Sequence, residues 1–126
     1  MIVLDASAWV DVVAGGSRGS VLESEDITVP PHFDVEVIGS IRALHQRRVL
    51  TDDAADRAVD RHLRAPFVRS FEPADARAAW TLREAMSYRD AWYVALAQRL
   101  EAVWVTADLR AARVAGRHVR VHVVAD

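Results

Sequence analysis

The sequence predicts an α/β fold in which a parallel five-stranded sheet carries helices on both faces, giving three α/β/α layers. Short apolar runs alternate along the chain with longer stretches of helical periodicity. Strands separated in this way by helices form parallel βαβ units, and helices then cover both faces of the sheet. The 126 residues, 52% hydrophobic and 27% charged, have the size and composition of one globular domain. We therefore expect a single domain over residues 1–126.

The first half of the chain predicts two strands and four helices. The strands cover 1–4 and 27–29, and the helices cover 6–14, 17–24, 32–48 and 51–63. Gly15 and Gly16 end the first helix, Pro30 and Pro31 close the second strand, and Thr51 caps the last helix. The long helix carries one apolar stripe, which consists of Phe33, Val37, Ile41 and Leu44.

The second half predicts three strands and three helices. One strand lies within 67–71, the others cover 103–105 and 119–123, and the helices cover 73–86, 87–100 and 107–115. Pro73 opens the first of these helices and Ser87 starts the next. The last strand alternates apolar and polar residues.

The composition excludes several classes of chemistry. Cys is absent, which excludes disulfides, thiolate nucleophiles and Cys-ligated metals. All 16 basic residues are Arg, and the absence of Lys excludes a Walker A phosphate loop, a Schiff base and a Ser–Lys dyad. The net charge of −2 argues against holding nucleic acid by overall charge. No apolar run approaches the roughly 18 residues of a membrane span, and no signal peptide is visible, so we expect a cytoplasmic location.

Four acidic residues lie close to strand ends. Asp5 directly follows the first strand, and Asp108 follows residues 103–105 by three positions. Asp90 lies in the first turn of its helix, and Glu36 lies in the first turns of the long helix after the second strand. The carboxyl ends of parallel strands meet at one edge, where ligands of open α/β sheets bind. We therefore expect these four side chains to converge.

Three of the acids also have an ordinary structural interpretation. Asp5 or Ser7 could cap the first helix. The segment from Ser87 to Asp90 resembles a capping box in which Asp replaces Glu. Asp108 could interact with the dipole at the start of its helix. Each acid taken singly is compatible with a role in helix capping alone.

Glu36 and the acids as a group are harder to explain by capping. The neighbours of Glu36 at positions 35, 37 and 38 are apolar, and a buried unpaired carboxylate is costly, so it needs a partner such as a cation. Two like charges at ~4 Å repel by on the order of 4 kcal/mol at an effective dielectric of about 20. Shared protons or a divalent metal relieve that repulsion. Oxygen ligands suit Mg²⁺ or Mn²⁺, which activate water and clamp phosphodiesters. The acids thus predict metal-dependent phosphodiester hydrolysis.

Four motifs, taken in order, resemble those of a known family. The first is a short acid–hydroxyl pair after the first strand, the second an acid in the long helix, the third an acid that opens an apolar helix, and the fourth an acid after the fourth strand. They are Asp5-Ala6-Ser7, Val35-Glu36, Asp90-Ala91-Trp92-Tyr93-Val94-Ala95-Leu96-Ala97 and Thr106-Ala107-Asp108. Together they resemble the PIN-domain ribonucleases, and specifically the VapC-type toxins of bacterial toxin–antitoxin systems.

The resemblance implies a parallel five-stranded sheet flanked by helices, and an endonuclease that hydrolyses single-stranded RNA with Mg²⁺ or Mn²⁺. It also implies a homodimer and a cognate antitoxin that inserts into the acidic site. DNA would be bound only indirectly, through the antitoxin. Carried over by position, the catalytic and metal-binding residues are Asp5, Glu36, Asp90 and Asp108.

Three further residues follow from the resemblance. Ser7 and Thr106 are expected to be hydroxyls behind the site that orient carboxylates or water. Members of the family often carry Tyr directly before the third acid, where this chain has Arg89. A cation there is expected to contact substrate phosphate or to neutralise part of the acidic cluster.

Two other functions stay open at this point. An aspartyl-phosphate phosphohydrolase or phospho-receiver also places an Asp after the first strand, but such folds generally need a second acid nearby and a late Lys. Here position 7 is Ser, and Lys is missing. A non-catalytic PIN-like adaptor is the other alternative, and the presence of all four acids argues against it. The histidines His32, His45 and His62 are expected at the surface or at helix ends.

Overall fold

The sheet has five parallel strands, as predicted. The computed structural model describes residues 1–15 and 26–124, so the helix predicted over 17–24 lies outside the described residues. The strands are β1 Ile2–Leu4, β2 Ile27–Val29, β3 Val68–Arg69, β4 Val103–Thr106 and β5 Val121–Val123. Their order across the sheet is β3-β2-β1-β4-β5, and every neighbouring pair is parallel.

Six helices connect the strands within the described residues. They are α1 Ala6–Val13, α2 Phe33–Gln46, α3 Asp52–Arg64, α4 Pro73–Thr81, α5 Tyr88–Leu100 and α6 Leu109–Ala115. None of the described helices is long and apolar enough to cross a membrane.

The strand order determines where the helices and the candidate site lie. From β1 the chain moves through β2 to β3 at one edge, whereas β4 and β5 lie on the other side of β1. Because parallel crossovers are right-handed, α1, α2 and α3 cover one face and α4, α5 and α6 the other. The helix contacts agree, since α1, α2 and α3 contact one another and α5 contacts α4 and α6. The direction of winding therefore reverses between β1 and β4, the switch point at which open α/β sheets bind ligands.

The apolar pattern of the helices accounts for the core. In α2 the predicted stripe is buried at Phe33, Val37 and Ile41. In α5 the run from Ala91 to Ala97 is buried except at Trp92, because this helix lies against β1 and β4. The rings of Tyr93 and Trp104 stack there, with their centroids 5.7 Å apart.

Several predicted boundaries are wrong by a few residues. The helix predicted over 73–86 ends at Thr81, because residues 82–85 turn before Ser87 starts α5. The helix predicted over 107–115 begins at Leu109, because Asp108 is its cap, and β4 extends to Thr106. The strands predicted over 1–4 and 119–123 are shorter at their ends, whereas β3 lies within 67–71 as predicted.

One buried polar network was not expected. His62 is fully buried, although a surface or capping position was predicted for it. Its Nδ1 accepts a 3.0 Å hydrogen bond from Trp9 Nε1, so its Nε2 carries the hydrogen and donates to Asp34 Oδ1 at 2.7 Å. Arg69 donates to both oxygens of Asp34, at 2.6 and 2.8 Å. The network joins α1, α2, α3 and β3 and secures the start of α2, where Glu36 lies.

Candidate active site

Asp5 occupies the centre of the switch point. Its backbone N–H donates to the Val105 carbonyl at 2.8 Å, which holds the end of β1 against β4. The residue is only 8% exposed. Asp5 occupies the N-cap position of α1, yet its side chain accepts no hydrogen bond from the helix amides. Capping therefore does not explain this carboxylate.

Two hydroxyls hold one oxygen of Asp5. Ser7 Oγ donates to Asp5 Oδ2 at 2.6 Å, and Thr106 Oγ1 donates to the same atom at 2.7 Å. Each hydroxyl in turn accepts a backbone N–H at 3.1 Å, Ser7 from Ala107 and Thr106 from Asp108. Because an ionised carboxylate can only accept hydrogen bonds, each hydroxyl directs its hydrogen to Asp5 while its oxygen accepts the backbone N–H. The arrangement orients the carboxylate and directs neither hydroxyl to its Oδ1.

Asp108 lies two residues beyond β4 and has a capping role. Its Oδ1 accepts hydrogen bonds from the N–H groups of Arg110 and Ala111, at 2.9 and 3.1 Å. The ordinary interpretation of Asp108 as a helix N-terminal acid is thus part of its structure. The cap uses one carboxylate oxygen and leaves Oδ2 outside it.

Asp90 enters the site from the first turn of α5. Ser87 caps this helix, accepting the Asp90 N–H at 3.3 Å. In the described residues a reciprocal capping box occurs in α4, between Glu72 and Asp75, but not here. The Asp90 carboxylate is thus not used to cap its own helix.

Glu36 reaches the same region from α2 and has several polar neighbours. The hydroxyl of Tyr93 donates to Glu36 Oε1 at 2.7 Å. His32 Nε2 lies 3.3 Å from the same oxygen and 3.1 Å from the Arg89 carbonyl. Arg89 Nη1 lies 4.0 Å from Glu36 Oε2. The partner that a half-buried Glu36 requires is therefore supplied by a tyrosine, a histidine and an arginine.

The apolar neighbours of Glu36 are only partly buried. Val37 is buried, but Val35 is 74% exposed and Ile38 is 37% exposed. Val35 and Ile38 lie on the outer side of α2. The apolar stretch in the sequence therefore does not place Glu36 in the core. Val35 instead lines a groove of about 640 Å³ beside Glu36, together with Tyr88, Trp92 and other residues of α2 and α5.

The electrostatics show that the acids share one region. Burial raises the pKa of Asp5, and the charges of Glu36 and Asp108 raise it further, against the hydrogen bonds from Ser7 and Thr106.

Asp90 shows the same effect. Burial is the main cause of its raised pKa, and the charges of Asp5 and Asp108 add to it, whereas the Ser87 hydrogen bond and Arg89 lower it. The pKa values of Asp5 and Asp90 are thus both raised in part by neighbouring carboxylates at the switch point.

The donor chemistry fits a hard divalent cation, although the ligands are not already gathered. All four acids offer carboxylate oxygens, which Mg²⁺ and Mn²⁺ prefer. The mutual repulsion of Asp5, Asp90 and Asp108 is what a cation would relieve. Within residues 1–15 and 26–124, however, no three Asp, Glu or His side chains form a group ready to hold a metal ion. The sequence predicts that the four acids converge, but Asp5, Glu36 and Asp108 are each held by hydrogen-bond partners of their own.

Sequence reasoning overlooked two residues of this site. Tyr93 is fully buried, donates to Glu36, and lies 3.4 Å through its hydroxyl oxygen from the Ala6 amide nitrogen. Its position one turn after Asp90 was the available signal, because residues three apart share a helix face. His32 lies one turn before Glu36 on α2 and could have been found in the same way.

The chain is similar to several known proteins. The family model of the PIN domain matches residues 2–117. The chain is 38% identical to Ribonuclease VapC12 of Mycobacterium tuberculosis over 130 residues, which cover 99% of this chain and all of that protein. It is 38% identical to VapC ribonuclease Mb0985 of Mycobacterium bovis, with 87% of each chain covered. It is 32% identical to Ribonuclease VapC3 of M. tuberculosis, over 89% of this chain and 85% of that one.

A solved structure shows the same fold at low sequence identity. FitAcB from Neisseria gonorrhoeae superposes with a TM-score of 0.70 at 16% identity, with 96% of each chain covered. The family match, the full-length relatives and the five-stranded parallel sheet agree. The chain belongs to the PIN-domain family and, within it, to the VapC-type ribonucleases.

Proposed function

We propose that this protein is a metal-dependent endoribonuclease that hydrolyses phosphodiester bonds of single-stranded RNA, and that it is the toxin of a VapBC-type toxin–antitoxin pair. The observation that carries the proposal is Asp5, a buried carboxylate at the switch point whose Oδ2 is held by two hydroxyls. Its pKa is raised by burial and by neighbouring acids, and it caps no helix. The similar proteins from Mycobacterium are named ribonucleases, which supports RNA as the substrate.

The acids divide into two roles in this proposal. Asp5, Asp90 and Asp108 hold one or two Mg²⁺ or Mn²⁺ ions, and Glu36 is a further ligand or the base for the attacking water. The metal, when bound, would activate a water molecule and offset the negative charge of the phosphodiester. Ser7 and Thr106 keep the Asp5 carboxylate in one orientation.

The polar neighbours of Glu36 support its role as ligand or base. The Tyr93 hydroxyl and His32 both approach Oε1, whereas Oε2 has Arg89 at 4.0 Å. Glu36 is 21% exposed, so solvent reaches it. Oε1 is thus held in place. Oε2 faces Arg89, which an RNA phosphate could draw away from Glu36.

Arg89 is the candidate contact to the substrate. Its guanidinium is more than half exposed and lies 5.8 Å from the ring centre of Tyr88, at the mouth of the acidic site. A phosphate entering the site would meet this cation before it met the carboxylates. Arg89 also lowers the pKa of Asp90, so the two roles expected of it are compatible.

An antitoxin is the proposed partner. A guanidinium from its tail, inserted among the acids, would replace the metal and silence the enzyme, because arginine pairs strongly with carboxylates. The groove beside Glu36, with exposed Val35 and Tyr88, offers apolar surface for an adjoining segment of such a partner. A homodimer in the cytoplasm, with DNA bound only through the antitoxin, completes the proposal.

The proposal is tested by mapping cleavage sites on total RNA. The purified protein is incubated with Mg²⁺ or Mn²⁺, with and without chelator, beside Asp5→Asn and Asp90→Asn. We expect discrete metal-dependent cuts that leave a 5′-phosphate and a 3′-hydroxyl, and no cuts by either variant, with the fold kept as judged by circular dichroism.

Three outcomes would contradict the proposal. Wild-type rates in either variant would remove these residues from the chemistry. The absence of any metal-dependent cleavage, with an antitoxin still bound, would favour the adaptor. Trapping of a beryllofluoride adduct on Asp5 would favour the aspartyl-phosphate class.

A further inference from the structure

The C-terminal part of the chain has an unusual charge. Residues 109–124 contain Arg110, Arg113, Arg117 and Arg120 and no Asp or Glu. The segment therefore has a formal charge of +4 in a chain whose net charge is −2, so the rest of the chain carries −6. In α3, by contrast, arginines and acids are interleaved along one helix. The positive charge is concentrated in one segment.

Three of these arginines, Arg113, Arg117 and Arg120, line a groove at the edge of the sheet. The groove has a volume of about 1020 Å³ and runs between α6 and the edge strand β5. We call it the arginine groove; among its lining residues are Leu109, Arg113, Arg117, His118, Arg120 and Val123. All three of its arginines are exposed, and none forms an ion pair with a carboxylate in the described part of the chain. Their charges are available to a ligand.

One end of the arginine groove adjoins the acidic site. Leu109 directly follows Asp108, and Val123 pairs with Thr106, whose hydroxyl holds Asp5. The Val124 N–H also donates to the Thr106 carbonyl at 2.9 Å. A chain lying in the groove would therefore emerge at the acids.

We propose that the arginine groove binds the sugar–phosphate backbone of single-stranded RNA outside the scissile bond, and leads the strand to the acidic site. The inference rests on the proposed ribonuclease function. The four carboxylates repel a phosphodiester, so a strand that reaches them needs cations along its path, in addition to Arg89 beside Glu36. Guanidinium groups pair with phosphate oxygens in a bidentate manner and tolerate any base sequence. A polyanion therefore fits this surface better than an apolar segment does.

The proposal is tested with a variant that removes the charges without changing the fold. Arg113→Gln, Arg117→Gln and Arg120→Gln are combined in one protein. The matched control combines Arg57→Gln, Arg64→Gln and Arg77→Gln, which are exposed, lie outside the groove and change the net charge equally. Thermal unfolding checks that both proteins fold as the parent does.

The first readout is binding of a long single-stranded RNA in chelator across a salt series, with intact RNA verified on a gel. We expect the groove variant to bind on the order of tenfold more weakly. Its slope of log affinity against log salt should be smaller by about 2, since each phosphate contact contributes roughly 0.7 for single strands. The control should keep the parent slope to within about 0.7.

The second readout is cleavage with Mg²⁺ or Mn²⁺. The groove variant should have a higher KM for long RNA, an unchanged kcat, and unchanged kinetics on a tetranucleotide too short to reach the groove. Equal affinity and salt slope in the groove variant and the control would overturn the proposal, as would a parent that binds no RNA. So would a variant that loses only its affinity for an acidic peptide or antitoxin. A parent that binds RNA through the groove but cuts none would refute the proposed function and leave the groove standing.

Discussion

The hydroxyl of Tyr93 donates a 2.7 Å hydrogen bond to Glu36 Oε1 and thereby links α5 to α2 across the candidate site. The Tyr93 hydroxyl oxygen also lies 3.4 Å from the amide nitrogen of Ala6, the residue directly after Asp5. The ring is fully buried and stacks on Trp104. Burial is the main cause of a strongly raised Tyr93 pKa, and the charges of Asp5 and Glu36 add to it, so the hydroxyl keeps its proton and acts as a donor.

Tyr93→Phe should lower RNA cleavage roughly tenfold, because Glu36 loses the donor that orients it. The unfolding free energy should fall by about 1 kcal/mol, since one hydrogen bond to a partly exposed carboxylate is removed. Single-turnover cleavage and urea unfolding measure the two effects. Tyr88→Phe is the matched control, because Tyr88 is exposed to solvent and the substitution also removes one phenolic hydroxyl. Equal cleavage by Tyr93→Phe and Tyr88→Phe would show that Tyr93 does not position Glu36.

Thr106→Val should reduce cleavage by roughly 10- to 100-fold, the range typical of groups that orient metal ligands. The variant removes the hydroxyl that donates to Asp5 and accepts from the Asp108 amide. Thr106→Ser keeps the hydroxyl and should restore most of the rate. Cleavage that follows side-chain volume, with Ser as poor as Val, would indicate that Thr106 acts through packing alone.

Asp90→Asn should stabilise the metal-free protein while abolishing cleavage. The Asp90 carboxylate is partly buried and repelled by Asp5 and Asp108, so its neutral isostere should raise the unfolding free energy on the order of 1 kcal/mol. Thermal unfolding in chelator at neutral pH should show a Tm higher by a few degrees. Added Mg²⁺ should then raise the Tm of the wild type more than that of the variant. A lower Tm for the variant in chelator would mean that the acids do not repel one another appreciably.

The Asp34 carboxylate should make stability depend on pH at acid values. Arg69 hydrogen bonds, followed by the contact with His62, lower the pKa of Asp34 below its ordinary 3.8. The folded state thus favours the ionised form, and the gain is complete above the ordinary pKa and lost as the pH falls through the lower folded value. Because Asp34 is 36% exposed, we expect only about 1 kcal/mol for Asp34→Asn at neutral pH.

The difference between the wild type and Asp34→Asn should shrink as the pH falls below about 4. Urea unfolding at several pH values measures it. Asp56→Asn, an exposed position on α3, is the control and should show a smaller difference throughout. A wild-type advantage that stays constant down to strongly acid pH would contradict a role for the Asp34 charge.

The fold was predictable because its strands are short apolar runs between helices of clear period. Pro73 and Ser87 indicated where α4 and α5 begin. Thr51 accepts the Ala54 N–H and is the predicted cap of α3. The ends of elements were not predictable to the residue. Asp108, for instance, caps α6 and is not part of it. This boundary depends on where the Asp108 side chain points.

The candidate site was only partly predictable. The positions of Asp5 and Asp108 could be predicted, because the sequence pattern indicates parallel strands and such strands end at one edge of the sheet. The burial of His62 could not be predicted, since it depends on Trp9 and Asp34, which come from distant parts of the chain. The exposure of Val35 was also hidden, because an apolar residue in a helix does not reveal whether another element covers it.

Binding of Mn²⁺, followed by electron paramagnetic resonance, tests the central claim most directly. We predict that the wild type and the control Asp56→Asn bind Mn²⁺ with the same affinity, and that Asp5→Asn and Asp90→Asn bind it at least an order of magnitude more weakly. Equal Mn²⁺ affinity in all four proteins, or no binding by the wild type, would contradict the claim that these carboxylates hold the ion that cuts RNA.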